Sequence, residues 1–341
     1  MNILFFSRLF HPNIGGVEKH VLKISEVLIK KGHNVTVVSE QDAHFTGSNY
    51  RRIAIYKMPV GKNNWFKKFR IWIWLLKNIS LIKKADVIHC HDVFFWYLPF
   101  RFLFPFKKVF VTFHGYENYP LKSRQILMHK ISEKLAFGNI CIGDFIQKWY
   151  KTKPTYVSYG AVDVIRSKRR KHEKEKQNKN SAVFIGRLDK QTGIKMYVDA
   201  YKLIKKKIPD FELLAIGDGP YRGKIAKDIK TLGFQREPEK HFKNYRFAFV
   251  SRYLSILEAM AYRKLVFAVF DDPIKKDYLE MSPFAKYIII SGSLADLCSK
   301  IKLYLNSRKQ ERKLVEKAFF WVRKQTWNEL TNIYLKLWQK Y

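Results

Sequence analysis

The feature that most constrains this chain is an alternation of strand and helix that runs through its first half, stops, and starts again. Asn2 to Ser7 is a short apolar run, NILFFS, of the kind that forms a strand buried on both faces. The loop from Arg8 to Gly16 ends in Gly15-Gly16. A helix from Val17 to Lys31 follows, with Val17, Val21, Ile24, Val27 and Leu28 on one stripe. Gly32 ends it, and Asn34 to Glu40 is the next strand. Strand, glycine turn, helix and strand make a βαβ unit, whose strands are parallel. The two glycines leave room for a phosphate to approach backbone N–H groups at a helix N-terminus, and the same pair also serves ordinary turns.

The pattern continues with strands at Arg52–Pro59, Ala85–Asp92, Val109–Phe113, Asn139–Ile142 and Thr155–Val157, and helices at Trp65–Lys84 and Leu121–Phe137. Residues 164–180 are a charge run almost free of apolar side chains, which reads as a hinge or linker. Alternation then restarts with Ala182–Leu188, Ile194–Lys205, Glu212–Ile216, Tyr221–Lys230 and Tyr287–Ser291. Helices at Leu294–Leu305, Glu311–Arg323 and Thr326–Lys340 close the chain. The predicted class is α/β, with two Rossmann-like, doubly wound parallel-sheet domains facing a central cleft. The expected divisions are 1–163, the linker 164–180, and 181–323, with 324–341 a C-terminal helix packing back on the first domain.

Within the second half, Arg246 to Phe270 reads strand, turn, short helix, strand, and Glu258 is the only charge between Leu254 and Ala261. A carboxylate in such surroundings needs a partner, because burying a bare charge is costly. Ser255 and Glu258 fit a capping box, S-x-x-E, which would satisfy that need. The other reading is a carboxylate at the first turn of a helix, aimed at a pair of ligand hydroxyls in the crevice beyond the strand ends. Arg187 in Gly-Arg-Leu, and Gly217 and Gly219 in Gly-Asp-Gly-Pro, fall at successive strand ends of the same sheet. An arginine there can hold a phosphate through two N–H groups, and glycines let a base or ribose press close.

Composition narrows the partners. The chain has 341 residues and a formal net charge of +36, from 65 Lys plus Arg against 29 Asp plus Glu. This favours polyanions or an anionic membrane surface, or reflects a lysine-rich composition without a specific partner. The acids interleaved in 164–180 spoil a nucleic-acid arm, so no nucleic acid is expected. The Trp65–Lys84 helix and residues 94–108 mix cations with aromatics, which suits the face of an anionic bilayer. The same residues, Ile71, Trp72, Leu75 and Phe95 among them, also suit a core. Cys90, Cys141 and Cys298 lack metal-ligand spacing and read as reduced, buried thiols of a cytoplasmic protein. No apolar run reaches the ~20 residues needed to span a bilayer.

The segments HPNIGGVEKHVLKISEVLIKKGHNVTVVS, ADVIHCHD, VTFHG, VSYGAVD, FIGRLDKQTGI, AIGDGP and SILEAMAYRKLVFA together resemble the family 4 retaining glycosyltransferases of the GT-B fold, over nearly the whole length. The resemblance implies a nucleotide-sugar donor held mostly by the second domain and a glycan or lipid-linked acceptor held by the first. It implies transfer with retention, no metal and no cofactor; with the thiols and the cation-aromatic surface noted above, the expected enzyme is cytoplasmic and peripheral on the inner face of the membrane. It matches Gly15 and Gly16 to the glycines of the loop that reaches the donor, and His114 to the histidine beside the donor sugar. Arg187 matches the phosphate-binding arginine, and Glu258 the ribose-binding glutamate. In two places the chain departs from the pattern. Thr192 stands where the family has a lysine, and Val250 where it has the first of two glutamates. Ser251, Leu254 and Ser255 would then offer backbone N–H groups to the phosphates. The departures also keep open a catalytically impaired nucleotide-sugar or polyanion-binding protein.

Overall fold

A computed structural model of the protein describes residues 1–13, 15–41, 49–61, 64–116, 118–163 and 180–341. The chain divides into two compact units, Met1–Tyr159 with Trp327–Tyr341, and Gly160–Thr326. Of the predicted linker, residues 164–179 lie outside the described residues.

The first unit contains β1 (Asn2–Ser7), α1 (Gly16–Lys30), β2 (Asn34–Glu40), β3 (Asn49–Tyr50), β4 (Ile53–Met58), α2 (Lys67–Lys77), α3 (Ile79–Lys84), β5 (Val87–His91), α4 (Phe94–Leu103), β6 (Lys108–Phe113), α5 (Ser123–Leu135), β7 (Gly138–Ile142), α6 (Phe145–Tyr150) and β8 (Tyr156–Ser158). The second contains β9 (Ser181–Ile185), α7 (Ile194–Lys205), β10 (Glu212–Ile216), α8 (Arg222–Ile225), β11 (Lys230–Thr231), β12 (Phe247–Phe249), α9 (Tyr253–Ala261), β13 (Leu265–Val269), α10 (Pro273–Glu280), β14 (Ile289–Ser291), α11 (Leu294–Asn306) and α12 (Arg308–Val322). The closing helix α13 (Trp327–Lys340) belongs to the first unit.

The first sheet has the order β3-β4-β2-β1-β5-β6-β7-β8, and the second β11-β10-β9-β12-β13-β14. Every pairing is parallel except β3 with β4. In each sheet the chain winds outward from one central strand and then returns to wind the other way. The reversal falls between β1 and β5 in the first unit and between β9 and β12 in the second. Doubly wound sheets bind ligands at that point, outside the carboxyl ends of the strands. Strands β1, β5, β9 and β13 are buried over nearly every residue, as sheets covered on both faces require.

Several predicted elements are cut differently. The Trp65–Lys84 helix breaks at Asn78, whose side-chain amide donates to the Trp74 carbonyl at 2.9 Å and satisfies the end of α2. The Tyr221–Lys230 helix shrinks to α8, because Lys230 and Thr231 are drawn off as an edge strand against β10. Helix α10 was not predicted, although Asp272-Pro273 carries its start signal: the Asp272 carboxylate accepts from the Lys275 N–H at 2.7 Å.

One buried ion pair ties the second unit together. Arg246, which precedes β12, places Nη2 2.6 Å from Oε2 of Glu311 on α12 and donates to the Tyr304 carbonyl at 2.6 Å. Both residues are buried. Glu311→Ala should therefore cost about 3–5 kcal/mol, since it leaves a buried guanidinium uncompensated. A urea titration that finds a loss below about 1 kcal/mol would contradict this role.

Candidate functional site

In the first unit the polar groups gather where the winding reverses. His89 and His91 are two residues apart on β5 and so share a face of the sheet. Thr112 on β6 is in register with His91. His114 follows the end of β6, and His20 lies in the early turns of α1. Helix α13 brings Tyr334 and Trp338 to the same place. The Trp338 indole N–H donates to Nδ1 of His89 at 3.0 Å, and Nε2 of His89 lies 2.7 Å from Oγ1 of Thr112. Oγ1 of Thr112 is 2.8 Å from the Tyr334 hydroxyl, which is 2.8 Å from Nε2 of His20. Nδ1 of His91 lies 2.9 Å from Nε2 of His114. The ring of His20 meets that of His114 edge to face, with centroids 4.6 Å apart and planes at 88°. Asp92, in the left-handed region at φ 60°, accepts the backbone N–H of His114 at 2.9 Å.

Burial keeps these imidazoles neutral. It lowers His20 to about 3 and holds His89, His91 and His114 well below the ordinary histidine range, with the neighbouring rings adding to the effect for the last three. Among the described residues, His20, His91 and His114 are the group that could offer three nitrogens to a metal ion, their ligand atoms all lying within 4.8 Å of one another. The hydrogen bonds just described already use nitrogens of all three rings. Gly15, extended, precedes α1 without a side-chain cap, and the Glu18 carboxylate folds over it. Among the described residues, a Cβ on Gly16 would meet nothing within 4 Å.

In the second unit Gly217 and Gly219 serve a purpose that their sequence did not disclose. A Cβ on Gly217 would lie 1.9 Å from the Gly186 carbonyl oxygen, and one on Gly219 2.6 Å from that of Leu188. Their φ angles are 138° and 152°. The Leu188 N–H donates to the Asp218 carbonyl and the Tyr221 N–H to the Leu188 carbonyl, each at 2.9 Å. The loops after β9 and β10 are therefore zipped backbone to backbone, and the space beside both glycines is filled by protein. Arg187 stands out from this zipped pair, largely exposed, with Nε 2.8 Å from Oδ2 of Asp189.

The predicted capping box does not form. Helix α9 begins at Tyr253, so Ser255 is its third residue and Glu258 its sixth. The Tyr278 hydroxyl takes the first-turn donor instead, accepting the Tyr253 N–H at 2.6 Å. Glu258 is buried on the second turn, while Leu254 and Ser255 are half-buried. Ser251 is a structural peg. Its hydroxyl accepts the Val269 N–H at 2.9 Å and lies 2.6 Å from the Tyr197 hydroxyl, and its carbonyl accepts from the buried Lys275 ammonium. Burial pushes Lys275 well below the ordinary lysine range, with Arg252 adding to the effect.

The two departures are both buried. Val250 continues the pairing of β12 with β13, its N–H donating to the Phe267 carbonyl at 3.1 Å. The Thr192 hydroxyl lies 2.7 Å from the Arg187 carbonyl and 2.9 Å from that of Asp189. Lys190 and Lys195 are exposed and line a cavity of about 390 Å³ with Tyr221, Asp271 and Leu294; Arg187, Ser251 and Glu258 are not in its wall.

Sequence reasoning singled out Gly15, Gly16 and His114 in the first unit and Arg187, Gly217, Gly219, Ser251, Leu254, Ser255 and Glu258 in the second; of these, Gly217 and Gly219 are taken up by packing between loops and Ser251 by internal hydrogen bonds. It gave no role to His20, His91, Asp92, Thr112, Tyr334 or Trp338. The alternation in His89-Cys90-His91 at a strand end signalled two polar side chains on one face, but nothing near Tyr334 or Trp338 pointed to their partners.

A sequence model described as Glycosyltransferase Family 4 matches residues 14–166, and one described as Glycosyl transferases group 1 matches residues 179–274. The phosphatidyl-myo-inositol mannosyltransferase of Mycobacterium tuberculosis is 25% identical over 242 residues, covering 64% of this chain. The match spans 62% of that relative's length. A solved glycosyltransferase from Rickettsia africae superposes with a TM-score of 0.75 at 18% identity, over 99% of this chain and 98% of its own. Anabaena HepE, solved in complex with UDP and glucose, gives 0.75 at 14% identity, over 98% and 99%.

Two outcomes follow from this geometry. The buried histidines are neutral when folded, while in the unfolded chain they take up protons below their ordinary value of 6.5. Stability is then full above pH 6.5 and falls as pH drops below it, by up to about 1.4 kcal/mol per pH unit for each such histidine. The urea midpoint should decline steadily from pH 7 to 5, and His20→Phe should flatten the decline; a flat profile in the wild type would refute neutral burial. Separately, Gly217→Ala should cost about 3 kcal/mol or more, because the new Cβ meets a backbone carbonyl at a strained φ. Thermal melts of the variant read this directly.

Proposed function

This chain belongs to the family 4 glycosyltransferases and has the GT-B fold, and on that premise we propose that it transfers a sugar from a nucleoside-diphosphate donor to a lipid-linked or envelope-glycan acceptor. The transfer retains the anomeric configuration and uses no metal. One observation carries the reading: Arg187 and Glu258 follow β9 and β12, the two neighbouring strands at the reversal point of the second sheet. An exposed guanidinium after one strand and a buried carboxylate on the helix after its neighbour suit a diphosphate and a ribose diol. The arginine neutralises the departing diphosphate, and the glutamate accepts from the ribose hydroxyls. His114 is the residue of the first unit that the family resemblance assigns to the donor sugar. HepE, a structural neighbour, binds UDP and glucose, and the mycobacterial relative is named for a phosphatidylinositol acceptor.

The outer surface of α2 and α4 supports a membrane-bound acceptor. Trp65 is 74% exposed and Phe106 93%, and Phe66, Phe69, Ile73, Leu76, Phe102 and Leu103 are exposed with them. Lys67, Lys68, Arg70 and Lys77 lie in or beside the same helix. Aromatics and cations together dock on anionic lipid from the cytoplasmic side, the inner face of the membrane. Among the described residues no helix is long and apolar enough to cross a membrane.

A second reading, a nucleotide-sugar-binding protein without turnover, is favoured by Thr192, which is buried and hydrogen-bonded within its own loop where the family has a lysine. Incubation with a panel of nucleotide sugars decides between them: nucleoside diphosphate should be released, and release should survive EDTA. Glu258→Gln should weaken nucleotide binding roughly 10- to 100-fold, the worth of a hydrogen bond to a charged group. Unchanged affinity, or binding without any release, overturns the catalytic reading. Vesicles with anionic lipid should carry the protein upward on flotation, and Trp65→Ser with Phe106→Ser should abolish it.

A further inference from the structure

The hydrogen bonds of the first unit can be given directions. An indole N–H only donates, so Nδ1 of His89 must accept from Trp338. A neutral imidazole carries one proton, so His89 holds it on Nε2 and donates to Oγ1 of Thr112. Thr112 then donates its own proton to the Tyr334 oxygen, and Tyr334 donates to Nε2 of His20. The opposite sense would leave the Thr112 proton without an acceptor in this group. His20 therefore carries its proton on Nδ1.

A second argument fixes His114. Nδ1 of His91 and Nε2 of His114 share one proton across 2.9 Å. Among the described residues, Nε2 of His91 is fully buried with no hydrogen-bond partner. Were His114 the donor, His91 would have to carry its proton on that orphaned Nε2. A buried N–H without an acceptor is rarer than an unused lone pair. So His91 donates from Nδ1, and His114 carries its own proton on Nδ1.

We propose that His91 and Tyr334 are positioning residues of this site, which set the tautomers of His114 and His20 so that His114 presents Nδ1–H, a hydrogen-bond donor, to its ligand. The ligand class that suits it is an acceptor oxygen, such as a sugar hydroxyl or a phosphoryl oxygen. The closing helix α13 thereby becomes part of the site through Tyr334. Only the identity of that ligand rests on the glycosyltransferase reading; the tautomers do not.

The test uses the full chain labelled with ¹⁵N-histidine at pH 7.5. Long-range ¹H–¹⁵N correlation should show His114 and His20 protonated on Nδ1 and His89 on Nε2. His91→Asn, which keeps an N–H donor near the same point, should leave His114 unchanged. His91→Asp, which only accepts, should move the His114 proton to Nε2 or add a second. Tyr334→Phe should release His20 into a tautomer mixture. A wild-type His114 protonated on Nε2 overturns the proposal, as does an Asp variant that leaves its spectrum unmoved. In donor turnover, His91→Asn should stay within about threefold of wild type, whereas His91→Asp should lose about tenfold or more in kcat at unchanged donor KM. The stated tautomers with no turnover of any donor would sink the glycosyltransferase reading alone. Turnover with the other tautomer would sink this one alone.

Discussion

Two neighbouring parallel strands whose connections leave in opposite directions uncover a crevice at their carboxyl ends, and both units of this chain are arranged around such a pair. The strands themselves are buried on both faces and carry few polar side chains, most of those that matter here lying at or near the strand ends. His91 is the last residue of β5, and Thr112 lies one residue before the end of β6. Gly186 and Arg187 follow β9, and Ser251 lies two residues after the end of β12. The chemistry of each unit is confined to these few positions, and the helices determine which side chains reach them.

The two units satisfy their buried polar groups in different ways. The first relies on side chains, four neutral imidazoles joined to a hydroxyl, a phenol and an indole. Neutrality matters, because an imidazolium buried there would be an unpaired charge in a protein that already carries +36. A neutral imidazole has one donor and one acceptor, so it can be a link in a directed chain, and a donor-only group such as Trp338 gives that chain its direction. The second unit has its own buried side-chain pairs, Arg246 with Glu311 among them, but the ends of β9 and β10 rely on backbone. Its loops after β9 and β10 satisfy each other because Gly217 and Gly219 carry no Cβ, and Arg187 projects from the joined pair. One arrangement holds a neutral group at a fixed angle, the other an exposed cation at a fixed point.

The strand order was legible because apolar runs separated by helical stripes admit few solutions, and the ends of β2, α7 and β10 fall where the periodicity put them. What misled was local chemistry read without tertiary partners. Ser255 and Glu258 have the spacing of a capping box, but Tyr278, twenty-odd residues on, reaches the helix end first. Asn78 sits inside a continuous amphipathic pattern and still ends α2, its side-chain amide joining its own N–H on the Trp74 carbonyl. Tyr334 and Trp338 look like ordinary core residues at helical spacing, and only the fold brings them to His20 and His89. Sequence showed the residues at strand ends; it did not show those carried in by a helix from the far end of the chain.

Thr192 shows why a departure from a family pattern has to be judged by its contacts. Its hydroxyl lies within hydrogen-bond distance of the Arg187 and Asp189 carbonyls, so it ties down the backbone of the turn from which Arg187 projects. A lysine at that position could not make those bonds and would have to leave the pocket that Thr192 fills. The chain has thus exchanged a second cation for a firmer hold on the first. On the proposed reading the exchange is affordable: the exposed Lys190 and Lys195 flank the same turn, and the whole chain already attracts anions. A cation can be supplied from several points of such a surface, but the backbone from which Arg187 projects is tied at one.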